Sequence, residues 1–229
     1  MKKALCLAYI SADRGIPLFG HKAGSVHAQE ILSAWAKRGA SIEIFAAALG
    51  DTVDEDFKSA TIRNLPSLEV ALCGPSAPKL LLRRVAALNQ TITRTLMAAL
   101  NTCSFDIVYE RYSLWSYAGM NFARNNAIVS ILEVNAPLIQ EQNYYRTPIS
   151  TEAASAVARR AFRSATIILA VSSEIANALE AFPEARKKVL ILPNGVNLER
   201  FGPKANANIF VKRGEYRIGF VGGDRKSVV

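Results

Sequence analysis

The stretch ALCLAYISADRGIPLFGHKAGSVHAQEILSAWAKRGASIEIFAA, residues 4–47, decides the fold. Its first part, ALCLAYI (4–10), is an apolar run of strand length. SVHAQEILSAWAKRG (25–39) carries apolar residues at helical spacing, with Val26, Ile31, Leu32 and Trp35 expected inward and Gly39 as the stop. SIEIFAA (41–47) is again a strand. Strand, loop, helix and strand in this order make a βαβ unit, whose crossover is right-handed.

The alternation continues outward from that unit. Residues 61–65 add a short strand, and a long helix after Pro78 shows a stripe at Leu81, Val85, Leu88, Ile92, Leu96 and Leu100. FDIVYE (105–110), AIVSILEV (127–134), TIILAVS (166–172) and KVLILP (188–193) are further strands, with helices between them. Strands apolar on both faces belong in a parallel sheet covered by helices on each side. The expected class is α/β, a Rossmann-like doubly wound parallel sheet. It occupies residues 1–201. GPKANANIFVKRGE (202–215) is a linker, and YRIGFVGG (216–223) opens a second α/β domain that is truncated at residue 229.

A chain of 229 residues buries one good core, or at most one and a fraction. Half of its residues are hydrophobic and 21% are charged, as in an ordinary globular protein. No apolar run reaches the roughly 18 residues that span a bilayer. The N-terminal MKKALCLAYI mimics a signal peptide but lacks a small-residue cleavage site before a mature start, so it reads as the first strand. Cys6, Cys73 and Cys103 are widely spaced, and no pair has metal-ligand spacing; reduced thiols in a cytoplasmic protein are expected. With only His21 and His27 as histidines, no metal site is expected. The net charge of +9 favours anionic partners. Its dispersion, without zinc-finger spacing or an RNA-binding aromatic signature, argues against nucleic acid. Arg83, Arg84 and Arg94 flank the stripe of the long helix. They either rest on an acidic membrane surface or stand in solvent while the stripe packs on the sheet.

Ligands of such sheets bind at the carboxyl ends of the strands. That rule selects 11–27, 110–113, 133–137 and 172–174. In the first, Gly15, Gly20 and Gly24 permit tight backbone, and Gly24-Ser25 opens a helix whose free amides suit phosphate or a sugar oxygen. The spacing is neither G-x-G-x-x-G nor a P-loop. His27, expected in the first helical turn, faces the same crevice or serves the structure. Arg111 either pairs with Glu110 or reaches an anionic or hydroxyl-rich ligand. Glu133 and Asn135 suit sugar hydroxyls, while Asn135 and Pro137 alternatively shape a turn.

Taken in order, residues 15–39, YERYSLWSYAG (109–119), LEVNAPL (132–138), TIILAVSSEIANAL (166–179), VLILPNGVNLERF (189–201) and FVGG (220–223) resemble family 4 of the retaining glycosyltransferases. The likeness is to its subfamily-4-like N-terminal domain, the N-terminal half of a GT-B fold. The resemblance implies that Gly24, Ser25 and His27 lie where the first-domain loop approaches the donor's phosphate and transferred sugar. It implies that Glu133 and Asn135 face the acceptor or the sugar, and that Asn194-Gly195 forms the hinge-side turn. Where some members place a histidine before the matching glutamate, this chain has Leu132. Glu133 and Glu141 share the spacing of the family's paired glutamates, but that pair belongs to the second domain.

The implied whole enzyme transfers a sugar from a nucleoside diphosphate sugar to a hydroxyl of a glycan or lipid-linked acceptor, with retention. It uses no metal or other cofactor, and works in the cytoplasm or peripherally at the inner face of the membrane. No individual catalytic residue is assigned. Without a donor domain, on the order of 150 further residues, the chain alone is expected to be inactive. A stand-alone binding module, or a fragment of a GT-B-fold epimerase or phosphorylase, are the alternative readings.

Overall fold

The computed structural model describes residues 4–50, 53, 57, 60–68, 78–145, 149–195 and 197–198. The strands are β1 (Cys6–Ser11), β2 (Ser41–Ala46), β3 (Thr61–Asn64), β4 (Ile107–Arg111), β5 (Val129–Val134), β6 (Ile167–Ala170) and β7 (Val189–Ile191). The helices are α1 (Ala23–Lys37), α2 (Pro78–Leu100), α3 (Ala118–Asn125), α4 (Leu138–Tyr145), α5 (Thr151–Ser164) and α6 (Ser173–Leu179). All seven strands pair in parallel in the order β3-β2-β1-β4-β5-β6-β7. The expected doubly wound sheet is therefore present. Its order reverses between β1 and β4, the place where such sheets open a crevice at their carboxyl edge. There the register sets Ser11 against Arg111, and Arg111 against Glu133.

Because strand side chains alternate in direction, the sheet buries two separate apolar layers. Leu7, Tyr9, Ile44 and Tyr109 pack towards α1 with Ala28 and Leu32. Ala8, Ile10, Phe45, Val108, Leu132 and Ile168 face the layer built by α2, α3 and α5. In α2 the predicted stripe holds: Leu81, Val85, Ile92 and Leu96 are buried, and Leu88 and Leu100 pack partly against them. In α1 the inward line is rotated from the predicted one. Ser25, Ala28 and Leu32 are its buried residues, whereas Val26, Ile31 and Trp35 are only partly buried. Small residues on the innermost line let the helix backbone approach the sheet, and the larger ones then fill its flanks. Gly39, with φ +80°, ends the helix as expected, in a conformation that glycine adopts without strain.

The chain divides into two compact units, Met1–Asn194 and Gly195–Val229. The predicted linker at 202–215 and the second-domain segment at 216–229 lie outside the described residues, as does Cys73. No described helix is long and apolar enough to cross a membrane.

Candidate functional site

Glu110 and Arg111 are neighbours in β4 but project from opposite faces of the sheet, so the local ion pair weighed from the sequence is not how either is used. Glu110 turns towards α3 and is fully enclosed. Its Oε1 accepts a 2.6 Å hydrogen bond from Ser116 Oγ. Burial pushes its carboxyl up to about 7, against the opposing pull of Ser116 and of the Met120 and Gly119 amides. A Cβ at Gly119 would overlap Glu110 Oε2 and Ile10 Cδ1, so that close approach requires glycine.

Arg111 turns towards α1 and joins a buried polar cluster. His27 Nε2 is hydrogen-bonded to Glu133 Oε1. Burial alone would raise the Glu133 carboxyl, but the His27 hydrogen bond and charge, Arg111 and Asn135 outweigh it and hold the group below its ordinary value. An ionised carboxylate only accepts, so His27 Nε2 is the donor of the pair. The rings of Tyr9 and Tyr109 stack with centroids 5.7 Å apart beneath this pair. Burial, and then the negative charge of Glu133, raise the pKa of both phenols, so both stay protonated.

The cluster is left short of partners. Arg111 Nη1, Ser11 Oγ, Ser25 Oγ and Tyr9 Oη are all buried and complete no hydrogen bond within the protein. All four of these atoms can donate, and an unmade buried hydrogen bond costs about 1–3 kcal/mol. The start of α1 has the same character. Its N-cap, Lys22, provides no side-chain cap, and its first turn holds no acid. The Lys22 ammonium instead binds the Gly15 carbonyl at 2.8 Å, leaving a positive charge beside the helix start. By contrast, α5 and α6 are capped by Ser150 and Ser172 and carry Glu152 and Glu174 in their first turns. At Gly24 an added Cβ would stand 3.3 Å from Arg111 Nη2 and 3.2 Å from Ile16 Cδ1, so the helix start and the guanidinium lie against each other.

The structure thus gathers Gly24, Ser25, His27, Arg111, Glu133 and Asn135 at the switch point. His27 is the fifth residue of α1 and lies in its second turn, because the helix starts at Ala23 rather than at Gly24. Asn194 and Gly195 are exposed, and a Cβ on Gly195 would meet nothing within 4 Å; the hydrogen bonds of the cluster do not include them. Sequence reasoning missed Tyr9, Ser11 and Tyr109. The period of two was the available signal, since 9 and 11 share a face in β1, as do 109 and 111 in β4.

Two cavities adjoin the carboxyl edge. One, of about 380 Å³, is lined by Asp13, Gly15, Ser113, Trp115, Glu141 and Gln142. The other, of about 390 Å³, is largely apolar, with Tyr112, Val134, Ile139, Phe162, Ile175 and Phe182 in its wall. Helix α4 contributes to both, and none of its residues is buried. Among the described residues no group of three His, Cys, Asp or Glu side chains stands ready for a metal ion.

The family profile described as Glycosyltransferase Family 4 matches residues 24–200. No curated protein shows significant similarity to the chain. Among solved structures, the sucrose-phosphate synthase of Thermosynechococcus elongatus is 13% identical with a TM-score of 0.57, over 85% of this chain and 49% of that one. HepE of Anabaena, solved with UDP-glucose, is 12% identical with a TM-score of 0.52, over 85% of this chain and 45% of its own. A shorter chain of the same synthase matches at 10% identity and a TM-score of 0.52, over 86% of this chain and 92% of that one. These likenesses establish the fold, the N-terminal half of the GT-B architecture. The chain spans about half the length of the full-length solved structures it matches.

Proposed function

We propose, from the premise that this chain belongs to Glycosyltransferase Family 4, that its switch-point cluster receives the phosphate and transferred sugar of a nucleoside diphosphate sugar. The observation that carries the reading is the surplus of buried donors beside an uncapped helix start. A diphosphate with its sugar offers the oxygens those donors lack. The α1 amides and Arg111 then face the charge that develops as the diphosphate departs, and preorganised donors at such a point lower the barrier. Ser11, Ser25 and Tyr9 suit the sugar hydroxyls, and the Glu133–His27 pair fixes the orientation of the imidazole beside them. Retention of configuration is the stereochemistry that the family resemblance implies. The domain supplies the acceptor side of the cleft, and a second domain supplies most of the grip on the nucleotide.

The acceptor occupies the cavity lined by Asp13, Trp115 and Glu141, where carboxylates and an aromatic ring suit a carbohydrate. The apolar cavity across α4 favours an acceptor with a hydrocarbon portion, such as a lipid-linked sugar. Work at the inner face of an acidic membrane accords with the +9 charge and with Arg83 and Arg94 exposed on α2.

Isothermal titration of the chain with UDP-glucose tests the core of this reading. Binding that weakens at least tenfold in Arg111→Met, with the melting temperature retained, supports it. Equal affinity in the two proteins sinks it.

A further inference from the structure

At the opposite edge of the sheet two thiols meet. Cys6 opens β1 and is buried, while Cys103 lies in the turn after α2 and is partly exposed. They are separated by 97 positions in sequence, yet their Sγ atoms stand 2.6 Å apart, against about 2.05 Å in a bonded pair. Both are free cysteines. The backbone on each side is already fixed. Cys6 N donates to Asp106 Oδ2 at 2.8 Å, Asp106 N returns a 2.9 Å bond to the Cys6 carbonyl, and Cys103 N donates to the Ala99 carbonyl at 3.0 Å. The remaining gap lies between two side chains whose backbones are already held in place.

We propose that Cys6 and Cys103 are a redox modification site that closes to a reversible intrachain disulfide, with a small-molecule disulfide such as glutathione disulfide as the oxidant. The accessible Cys103 sulfur acts first. As thiolate it attacks one sulfur of glutathione disulfide, forming a mixed disulfide and releasing one glutathione thiolate. Cys6 then gives up its proton and attacks Cys103 Sγ, forming the protein bond and expelling the second glutathione. Two protein thiols are oxidised, and one glutathione disulfide is reduced to two glutathione molecules. The buried position suits Cys6 to the second step only. Burial, with Cys103 beside it, pushes the Cys6 thiol up to about 12, so it is a poor initiating nucleophile but stands against its target.

The bond would tie the start of β1 to the approach of β4. Cys6 and Ser11 are the two ends of β1, roughly 17 Å apart at the rise of a strand. Oxidation is therefore read in the stability of the fold and leaves the chemistry at Ser11, Arg111 and Glu133 untouched. For the same reason, its test does not depend on the proposed transfer reaction.

The experiment uses the full chain carrying Cys73→Ser, so that one intrachain pairing remains. It is incubated with glutathione disulfide, unfolded, treated with a thiol-alkylating reagent and weighed by intact mass spectrometry. The expected product is a monomer that has lost two hydrogens and takes up no label, with labelling at both sites restored by dithiothreitol. Its melting temperature should rise by about 5 °C or more over the reduced form, because the bond constrains a long loop of the unfolded chain. Cys103→Ser in the same background should show no such rise. A stable glutathione adduct on Cys103 with Cys6 still open to label overturns the proposal. So does a disulfide-linked dimer, or an oxidised chain that melts no higher than the reduced one.

Discussion

The two faces of β4 treat their polar residues in opposite ways. Towards α2 and α3, polar groups serve the fold. Asn89 donates to the Val85 and Trp115 carbonyls and accepts from the Tyr117 amide, each at 2.8 Å, which locks α2 to the loop that launches α3. Glu110 takes the Ser116 hydroxyl and faces the first amides of α3. Towards α1, one residue further along the strand, Arg111 and its neighbours retain buried donors that nothing in the protein satisfies. A fold can hold such a deficit where a ligand relieves it. Glu110 Oε2 is also buried without a partner, but it is an acceptor; the surplus of donors gathers on the α1 face, and under the proposed function that surplus marks the residues that meet a reactant.

The largest test of the contrast is Asn89→Ala. It deletes three buried hydrogen bonds and strands their partners, so a loss of about 3–5 kcal/mol is expected in urea unfolding, with binding at the α1 face unchanged wherever the protein is folded. A loss under about 1 kcal/mol would remove the structural role assigned to that face.

Glu110→Gln comes next. The folded pKa of Glu110 lies above its ordinary value, so its contribution to stability is fully present below about 4.5 and is lost as pH rises through about 7. The Gln variant should flatten that fall, and at pH 8 it should exceed the parent by about 2–3 kcal/mol. An unchanged slope of melting temperature against pH from 4.5 to 8 would contradict the burial of an ionisable group there.

On the other face the signs reverse. Arg111→Met removes a buried cation that lacks a full set of partners, so stability should hold or rise by about 1 kcal/mol while UDP-glucose binding falls at least tenfold. A protein that unfolds instead would make Arg111 structural and erase the distinction between the faces. The smallest effect belongs to Gly24→Ala. Its Cβ crowds Ile16 and Arg111 Nη2 at 3.2–3.3 Å, which offsets the helix-propensity gain of about 1 kcal/mol. Stability should stay within about 0.5 kcal/mol, with a loss of two- to fivefold in binding.

Much of this was legible from residue order alone. The apolar runs located all seven strands to within two residues at each end, and the leucine stripe of α2 was read correctly. Reading failed where three-dimensional proximity, rather than period, decides. In α1 the helical stripe was assigned to the bulkiest side chains, whereas Ser25 and Ala28 allow the closer approach. Adjacent Glu110 and Arg111 read as a pair until the pleat separated them. Cys6 and Cys103 read as unrelated, because a contact across 97 positions is created by the β1–β4 pairing and not by spacing.

Helix α4 adds a last point. Eight residues long and with no side chain fully sheltered, it is tethered through Asn143, which bonds Thr151 Oγ1 at 2.9 Å and the Ile149 amide at 3.1 Å. It thus stands between the two cavities as a lightly held partition. If the acceptor is the lipid-linked sugar proposed above, one too long for a single cavity would have to shift α4, and chain length would then decide which acceptors fit.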